Sequence, residues 1–296
     1  MTVVIEVEDL SRRYGKVAAV QDVSFQVTEH SICGLLGRNG AGKTTLMRLV
    51  TGQEFASHGR IRLWGEDPVE NAAVLARTCF VRESQVYPEN FRGRHVMRAA
   101  SHLFPNWDDD LATKLVAEFN APLDRRMKKM SRGQRSAVGV IVGLASRAEL
   151  TLLDEPYAGL DAVARQLFYD RLLEDYTAVP RTIVLSTHLI DEVSALLDHV
   201  LVVDGGSLII DEEPDALRGS IVTLVGKHSA VERFVAGRPT LSWDAIGGIA
   251  SVTLAGLGDN DRADAVSAGL ELAPVSLQQL IVSRTRGSAP REEARS

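Results

Sequence analysis

Residues 37–44 have the sequence GRNGAGKT, which combines glycines, a lysine and a hydroxyl at a spacing suited to phosphate groups. The segment follows an apolar run, Ile32–Leu36, and opens a helical pattern, Lys43–Val50. Glycines allow backbone N–H groups to curl around phosphate oxygens, and the helix N-terminus adds the positive end of its dipole. Lys43 is then expected to reach the β- and γ-phosphates of a nucleotide, and the Thr44 hydroxyl to ligate Mg²⁺. The motif predicts a nucleotide site but does not distinguish a kinase, a GTPase and a motor protein.

An acidic pair, Asp154 and Glu155, follows a second apolar run, Leu150–Leu153. A carboxylate at the end of a hydrophobic strand fits a further Mg²⁺ contact, direct or through water, and we assign this role to Asp154. Glu155 is placed to orient or deprotonate an attacking water molecule. Strand ends are often solvated, so the pair alone says little. Together with the phosphate-binding pattern, it favours hydrolysis over phosphoryl transfer to another substrate.

The stretch MSRGQ, residues 130–134, is typical of a helix start. Ser131 and Gln134 form an S-x-x-Q capping box ahead of a helix that we expect to run through Leu144. A capped helix N-terminus preceded by little side-chain bulk is also an anion site. Taken alone, the stretch favours the simple helix cap over the anion site.

Three further markers lie around this stretch in the chain. AGLD, residues 158–161, follows the acidic pair; His188 follows the apolar run Thr182–Thr187; and Tyr14 precedes Gly15 at an early turn, where it could stack on a purine. Each has an ordinary alternative: Asp161 as a helix cap, His188 as a surface histidine, Tyr14 as a turn aromatic. Those alternatives do not account for the joint order and spacing of the markers.

Composition restricts the class of protein. Of 296 residues, 33 are Lys or Arg and 39 are Asp or Glu, so the net charge of −6 disfavours sequence-independent nucleic-acid binding. The longest apolar run, Ala137–Ser146, is far shorter than the roughly 20 residues of a membrane-spanning helix. The N-terminus shows no secretory signal, and two cysteines form neither a disulfide framework nor a zinc site. We therefore expect a soluble, intracellular, globular protein.

The elements that must position these residues alternate between strands and helices, which predicts an α/β sheet with parallel members. Predicted strands are Val3–Val7, Val23–Val27, Ile32–Leu36, Ile61–Trp64, Cys79–Val81, Leu150–Leu153, Thr182–Ser186 and Val200–Val203. Predicted helices include Lys43–Val50, Val163–Glu174 and Leu189–Leu197. Residues 91–147 lack strand signals and are interpreted as a helical insertion broken at Pro105 and Pro122.

The pattern changes near residues 217–220. We expect one domain over residues 1–218 and a small α+β C-terminal module over residues 219–285. In the module, the predicted strands are Ile221–Val225 and Ile249–Leu254, and the predicted helices are Ala263–Ala268 and Leu277–Ser283. The segment 286–296, rich in Arg, Glu and Ser, is predicted to be a disordered tail.

The motifs in this order resemble the ATP-binding-cassette (ABC) ATPases, the motor subunits of ABC transporters, over about residues 2–218. The resemblance implies an ABC-type P-loop NTPase fold with a helical subdomain at about 91–147, ATP hydrolase activity, and ATP and Mg²⁺ as ligands. It implies that Glu155 is the catalytic base, that His188 is the switch histidine at the γ-phosphate, and that Lys43 acts in catalysis. The implied nucleotide contacts are Tyr14 (adenine stacking), Gly37, Asn39, Gly40, Ala41, Gly42, Lys43, Thr44 and Thr45 (phosphate loop), Ser131, Gly133 and Gln134 (signature loop) and Asp161 (dimer communication). The implied metal contacts are Thr44, Asp154 and Glu83.

The resemblance also implies partners. In the family, two cassettes bind head to tail around two ATP molecules, so Ser131 and Gly133 would act on the nucleotide of a second ATPase subunit. This subunit is either an identical chain or a paralogue. The helical insertion would transmit motion to separately encoded transmembrane permease subunits, with the chain cytoplasmic and peripheral on the inner face of the membrane. No nucleic-acid partner is expected. Residues 106–108, Asn-Trp-Asp, are similar to a stretch in some bacterial exporters of drugs or antibiotics.

The sequence departs from the family pattern at several positions. Arg132 replaces the first glycine of the signature, where it either adds a cation near the partner's phosphates or points to solvent. His30 stands where the family usually has a glycine. In the loop after Cys79–Val81, the family commonly has a glutamine that contacts Mg²⁺; alignment by eye favours Glu83, with Gln85 as the alternative.

Other interpretations stay open. A non-transport ABC ATPase acting on ribosomes or DNA is the main alternative, although the chain has one cassette and no long coiled-coil or zinc module. A P-loop kinase is disfavoured by the signature, AGLD and histidine elements.

A basic cluster is interpreted as a solvated surface, or as contacts to nucleotide phosphates or acidic lipids; it comprises Arg125, Arg126, Lys128, Lys129, Arg132 and Arg135. The C-terminal module is expected to support dimerisation or regulation.

Overall fold

The computed structural model describes residues 2–273 and 275–286. Within them, the chain divides into two compact units, one formed by residues up to 189 and 196–211, the other by 190–195 and the residues from 212 onwards. The second unit begins earlier than the predicted boundary at residue 219, because a helix over Pro214–Ser220 packs within it and buries Leu217 completely. The predicted disordered tail lies, beyond Arg286, outside the described residues.

A three-stranded antiparallel sheet in the first unit is formed by β1 (Val3–Tyr14), β2 (Val17–Thr28) and β4 (His58–Leu63), in the order β2-β1-β4. Both β1 and β2 are much longer than the apolar runs that predicted them. Their buried residues are interspersed with partly or fully exposed polar ones, so a search for continuous apolar runs finds only part of each strand. Asp9 and Asp22, both with positive φ, lie at irregularities in the β1–β2 register.

A six-stranded sheet forms the centre of the first unit, in the order β5-β6-β7-β3-β8-β9. Its strands are β3 (Ile32–Leu36), β5 (Thr78–Arg82), β6 (Leu150–Asp154), β7 (Thr182–Thr187), β8 (His199–Asp204) and β9 (Ser207–Glu212). The pairings from β5 to β8 are parallel, as predicted, and β3, β6 and β7 are buried along their whole length. The sequence analysis missed β9, whose charged end is exposed.

Helices of the first unit connect these strands. They are α1 (Lys43–Val50), α2 (Ala72–Ala76), α3 (Gly93–Leu103), α4 (Asp109–Glu118), α5 (Arg132–Ala145) and α6 (Ala162–Ala178), with a 3₁₀ turn at Met127–Lys129. α3 ends before Pro105 and α4 before Pro122, as predicted. α4 already ends at Glu118, where Asn120 has a positive φ of 49° and its N–H donates to the Ala117 carbonyl. Asp108 caps α4 by accepting a hydrogen bond from the Leu111 N–H at 2.8 Å.

The second unit contains an antiparallel sheet of β10 (Ile221–Lys227), β11 (Thr240–Ile246), β12 (Ile249–Ala255) and β13 (Glu271–Ala273), in the order β11-β12-β10-β13. Its helices are α7 (Ile190–Val193), α8 (Pro214–Ser220), α9 (His228–Val235), α10 (Asp259–Ser267) and α11 (Leu277–Arg286). Leu224, Val231 and Val252 lie in its core. α7 is shorter than the predicted Leu189–Leu197; just after it, the Ser194 hydroxyl donates to the Asp191 carbonyl at 3.2 Å. None of the described helices is both long and apolar enough to span a bilayer.

Candidate active site

The predicted catalytic residues lie at one edge of the six-stranded sheet. In the parallel register, Leu36 of β3 is opposite Thr187 of β7, and Asp154 of β6 is opposite Ser186. The loop after β3, the acidic pair after β6 and His188 after β7 therefore leave the sheet side by side. Crevices at the carboxyl ends of parallel strands are the usual ligand sites of such sheets.

The loop between β3 and α1 has three positions whose backbone conformation favours glycine. Gly37, Gly40 and Gly42 all have positive φ, of 150°, 82° and 109°. A Cβ atom at Gly42 would lie 2.4 Å from the Ala19 carbonyl oxygen, and one at Gly37 would lie 2.2 Å from that of Val203. No side chain caps the N-terminus of α1 at Gly42. Its first N–H groups are therefore available to an anion.

Lys43 is almost completely buried at the base of this loop. Its Nζ atom donates to the Gly37 carbonyl at 2.7 Å and to the Arg38 carbonyl at 3.1 Å. The Glu155 Oε1 atom lies 3.7 Å from the same nitrogen. Burial lowers the pKa of Lys43, and the nearby carboxylates Glu155 and Asp154 oppose this shift. A polyphosphate entering the loop would add further negative charge beside this buried cation.

A side-chain hydrogen bond joins Asp154 and Thr44, which lie 110 residues apart in the sequence. The Thr44 hydroxyl donates to Asp154 Oδ2 at 2.7 Å, while Oδ1 is buried without a hydrogen-bond partner among the described residues. Burial is the main cause that raises the pKa of Asp154. The described residues contain no cluster of three or more His, Cys, Asp or Glu for a metal. A hydroxyl and a spare carboxylate oxygen fit Mg²⁺, which takes one or two protein ligands and completes its shell with phosphates and water.

We expect Asp154→Asn to raise the unfolding free energy of the ligand-free protein at pH 7 by about 1 kcal/mol. Because the pKa of Asp154 is raised in the folded state, its contribution to stability is present at low pH and is lost as the pH rises through the folded-state pKa. The uncharged amide avoids this loss, so the difference between variant and parent should shrink towards about pH 4. Urea unfolding at several pH values measures both effects.

Asp175→Asn is the matched control for this prediction. Asp175 is equally buried, but its Oδ2 atom lies 2.6 Å from Nη1 of Arg181, and its Oδ1 accepts from Arg147 at 3.1 Å. Removing this carboxylate leaves the buried Arg181 guanidinium without its ion-pair partner, while the partly exposed Arg147 keeps its ion pair with Asp108, and should destabilise the protein by about 3 kcal/mol. A loss of stability in Asp154→Asn similar to that in the control would contradict the account of Asp154 as a carboxylate held for a ligand.

Glu155 has its two carboxylate oxygens in different surroundings. Its backbone has φ of 47°, an unusual value outside glycine. Oε2 lies 2.8 Å from His188 Nδ1 and accepts a hydrogen bond from the Tyr157 hydroxyl at 2.7 Å. Oε1 faces Lys43. The sequence analysis predicted Glu155 and His188 but missed Tyr157, although a hydroxyl two residues after the acid was a visible signal.

A cleft of about 310 Å³ collects most of the phosphate-loop residues together with the acids. Its lining includes Asn39, Gly40, Ala41, Gly42, Lys43, Thr44, Thr45, Glu83, Asp154 and Glu155. A second cavity of about 330 Å³ shares Asn39, Glu83 and Glu155 with the first and adds Arg132, Tyr157 and His188. The arrangement can therefore hold the phosphates of a nucleotide with a carboxylate and a histidine beside them.

Glu83, and not Gln85, faces the phosphate cleft. The Gln85 Oε1 atom accepts from Arg82 Nε at 3.1 Å, and its side chain lines another, smaller cavity. Glu83 forms an ion pair with Arg132, whose side chain is 60% exposed. Arg132 thus lies at the surface, which fits the predicted alternative that it points to solvent. Its guanidinium, however, forms an ion pair with Glu83 in the loop after β5.

The remaining predicted contacts do not line the cleft of this chain. Tyr14 lies at the end of β1, where its hydroxyl donates to Glu54 and the Arg12 guanidinium lies 4.6 Å above its ring. The capping box is present: Ser131 accepts from the Gln134 N–H at 3.2 Å, and Gln134 accepts from the Ser131 N–H at 3.1 Å.

Gly133 and Asp161 have structural contacts within this chain. A Cβ atom at Gly133 would lie 2.2 Å from the Gly159 carbonyl oxygen, so the start of α5 packs closely on the loop after Glu155. Asp161 caps α6 by accepting from the Ala164 N–H at 2.8 Å. The nucleotide contacts assigned to Tyr14, Ser131, Gly133, Gln134 and Asp161 stay predictions.

Comparison with known proteins identifies the family. Residues 20–158 match the family described as ABC transporter. The Nod factor export ATP-binding protein I of Cupriavidus pinatubonensis is 32% identical over 225 residues, which are 73% of this chain and 68% of that protein. Its counterpart in Sinorhizobium fredii is 32% identical over 222 residues, 73% of this chain and 64% of the relative. A solved ATP-binding subunit of an ABC transporter superposes with a TM-score of 0.65 at 24% identity, covering 73% of this chain and 92% of that one. This chain therefore belongs to the ABC transporter family, as one of its ATP-binding and ATP-hydrolysing members.

Proposed function

We propose that the chain is the ATPase subunit of an ABC exporter and hydrolyses MgATP in the cleft at the carboxyl edge of the six-stranded sheet. The observation that carries this proposal is the convergence of a glycine phosphate loop, the Thr44–Asp154 pair and the Glu155–His188 contact on that cleft. Two of its relatives are named for export of Nod factor, which supports the direction of transport. The Asn106-Trp107-Asp108 stretch gives the same indication.

The phosphate loop binds and orients the nucleotide. The N–H groups of α1's first turn and the Lys43 ammonium group surround the β- and γ-phosphates, which compensates the burial of that ammonium. Thr44 and Asp154, with Glu83 at the edge of the cleft, would hold Mg²⁺. When bound, the ion draws charge from the phosphate oxygens.

Glu155 takes the proton from the attacking water. The water oxygen bonds to the γ-phosphorus, the bond from that phosphorus to the β,γ-bridging oxygen breaks, and the bridging oxygen leaves on ADP. His188, bonded to Glu155 at 2.8 Å and half-exposed, stands where it can donate to the γ-phosphate. The transferred proton goes to the Glu155 carboxylate, from which the released phosphate or solvent removes it.

We expect Glu83→Ala to raise the Mg²⁺ concentration for half-maximal ATP hydrolysis by about tenfold. The reason is the loss of a carboxylate from the cleft lining. Gln85→Ala, whose side chain lies outside that cleft, is the matched control and should behave as the parent. Arg132→Ala removes the ion pair of Glu83 but keeps the carboxylate, and should not raise the Mg²⁺ requirement. A raised requirement in Gln85→Ala alone would move the metal contact to that residue.

The same proposal includes partners. A second ATPase subunit, identical or paralogous, would bring its Ser131 and Gly133 to the nucleotide, and hydrolysis would let the closed dimer open. Separate transmembrane permease subunits would receive this motion at the cytoplasmic face of the membrane. The second unit of the chain carries none of the predicted site residues and serves as an accessory module.

Affinity purification from detergent-solubilised membranes of the source cells tests the transport role. The tagged chain is expected to retain a polytopic membrane protein with several apolar spans of about 20 residues. A Lys43→Ala variant, which keeps the surface outside the cleft, should retain the same protein. Stable recovery of ribosomes without any membrane protein would contradict transport and favour the non-transport alternative.

A further inference from the structure

Tyr157 is buried directly beside Glu155. The side chain is 3% exposed, and its ring packs between Tyr169 and His188, with centroid separations of 6.3 Å to each. Its hydroxyl contacts the Glu155 carboxylate at 2.7 Å and also the Thr187 hydroxyl. A tyrosine hydroxyl has a single proton, so only one of these two contacts can be a donation by Tyr157.

The Glu155 carboxylate fixes the direction of these hydrogen bonds. The Leu189 N–H donates to Thr187 Oγ1 at 2.8 Å, and a backbone N–H has no acceptor role to exchange. Glu155 Oε2 is a carboxylate oxygen and only accepts, so the single Tyr157 proton is donated to it. The Tyr157 oxygen therefore accepts from the Thr187 hydroxyl, whose oxygen in turn accepts from the Leu189 N–H. Four groups form a one-way chain that starts at the backbone after β7 and ends on the acid after β6.

This chain leaves the two oxygens of Glu155 unequal. Oε2 accepts from Tyr157 and contacts His188 Nδ1, so its lone pairs are engaged. Oε1 is 3.7 Å from Lys43 Nζ and has no hydrogen-bond partner in the described part of the chain. Only Oε1 is thus left to accept a proton from a water molecule in the cleft that Glu155 lines.

We propose that Tyr157 is a positioning residue for ATP hydrolysis, which holds Glu155 through Oε2 and presents Oε1 to the attacking water. The proposal rests on the assignment of Glu155 as the base. Burial of the ring and the chain of donors prevent rotation of the carboxylate. The Thr187 hydroxyl serves the same purpose one step further away.

The first test is Tyr157→Phe, which keeps the packed ring and removes the hydroxyl. The kcat for ATP should fall about tenfold, since a misplaced base costs rate and not binding. The KM for ATP and the affinity for a non-hydrolysable ATP analogue should stay within twofold of the parent. Tyr176→Phe is the matched control, because it removes a hydroxyl that donates to the His30 carbonyl at 2.6 Å, away from the cleft, and should leave kcat unchanged.

Substitutions of Thr187 distinguish a positioning role of the hydroxyl chain from a general disturbance of the structure. Thr187→Val, which breaks the chain, should lower kcat, whereas Thr187→Ser, which keeps the hydroxyl, should restore it to the parent value. The double variant Tyr157→Phe/Thr187→Val should be no slower than Tyr157→Phe alone, because both changes remove one chain.

A parent-like kcat in a folded Tyr157→Phe would overturn the proposal. Equal losses of kcat in Thr187→Val and Thr187→Ser would also overturn it, and so would a double variant in which the losses of the two single variants add. These results are distinguishable from failure of the proposed function, which would appear as unimpaired hydrolysis in Glu155→Gln or as no hydrolysis by the parent chain.

Discussion

Glu155→Gln should stop ATP hydrolysis while ATP still binds. The amide has the shape of the carboxylate and still accepts from Tyr157, but it cannot take a proton from water. Loss of a general base lowers kcat by about 10² to 10⁴-fold. The variant also removes a negative charge from the lining of the phosphate cleft, so its affinity for ATP should equal or exceed that of the parent.

Phosphate release and equilibrium binding of labelled ATP measure the two effects separately. Glu149→Gln is the matched control, because Glu149 lies just before β6, is half-exposed and pairs with Arg77 at 2.6 Å, away from the cleft. It should hydrolyse ATP as the parent does. Hydrolysis at the parent rate in Glu155→Gln would show that another group takes the proton.

Lys43→Ala is expected to have the opposite profile, with nucleotide binding itself impaired. The Lys43 ammonium group is the one cation among the described residues that line the 310 Å³ cleft, and burial amplifies its interaction with phosphate. We expect ATP affinity to fall by about 100-fold, which corresponds to a few kcal/mol, and kcat to fall as well.

The control for this variant is Lys114→Ala, which removes a half-exposed lysine paired with Glu174 at 3.2 Å on the protein surface. Surface ion pairs contribute little to stability, so this change should be silent in both assays. Circular dichroism and thermal melting establish that both variants are folded. Parent-like ATP affinity in a folded Lys43→Ala would remove the lysine from the phosphate site.

The parts of the site that could be predicted from sequence are those encoded locally. The phosphate loop has its glycines, lysine and hydroxyl within eight residues, and the S-x-x-Q capping box spans four. The Thr44–Asp154 contact joins distant residues, but the edge of a parallel sheet makes it predictable once both follow buried strands. Short sequence patterns were therefore sufficient to predict which residues form the core of the site.

Other contacts depend on tertiary packing that no short pattern encodes. The ion pair of Glu83 and Arg132 joins a loop and the start of α5, 49 residues apart, and each residue taken separately is a departure from the family pattern. The role of Tyr157 depends on its contacts with Glu155 and Thr187, and the second of these joins residues 30 positions apart. In the second unit, β11 was missed although Leu241, Trp243 and Ala245 alternate with polar residues; all seven of its residues are exposed, so no buried apolar run marks it.

The proposed function requires a second ATPase subunit to complete each ATP site, and where that subunit is an identical chain, mixing two inactive variants tests this most directly. Lys43→Ala damages the phosphate loop and leaves the signature intact. Ser131→Asp keeps a residue that caps α5 well but places a negative charge at the signature, where it repels phosphate. Each variant alone should be inactive, since every site in its dimer has one damaged half.

Mixed in equal amounts, half of the dimers contain one of each variant, and each of these has one site with an intact phosphate loop and an intact signature. The rate of phosphate release should therefore return to about a quarter of the parent rate, and neither variant alone should show this increase. No recovery, although both variants are folded and a tagged copy of one retains the other in the presence of ATP, would contradict a site shared between two subunits.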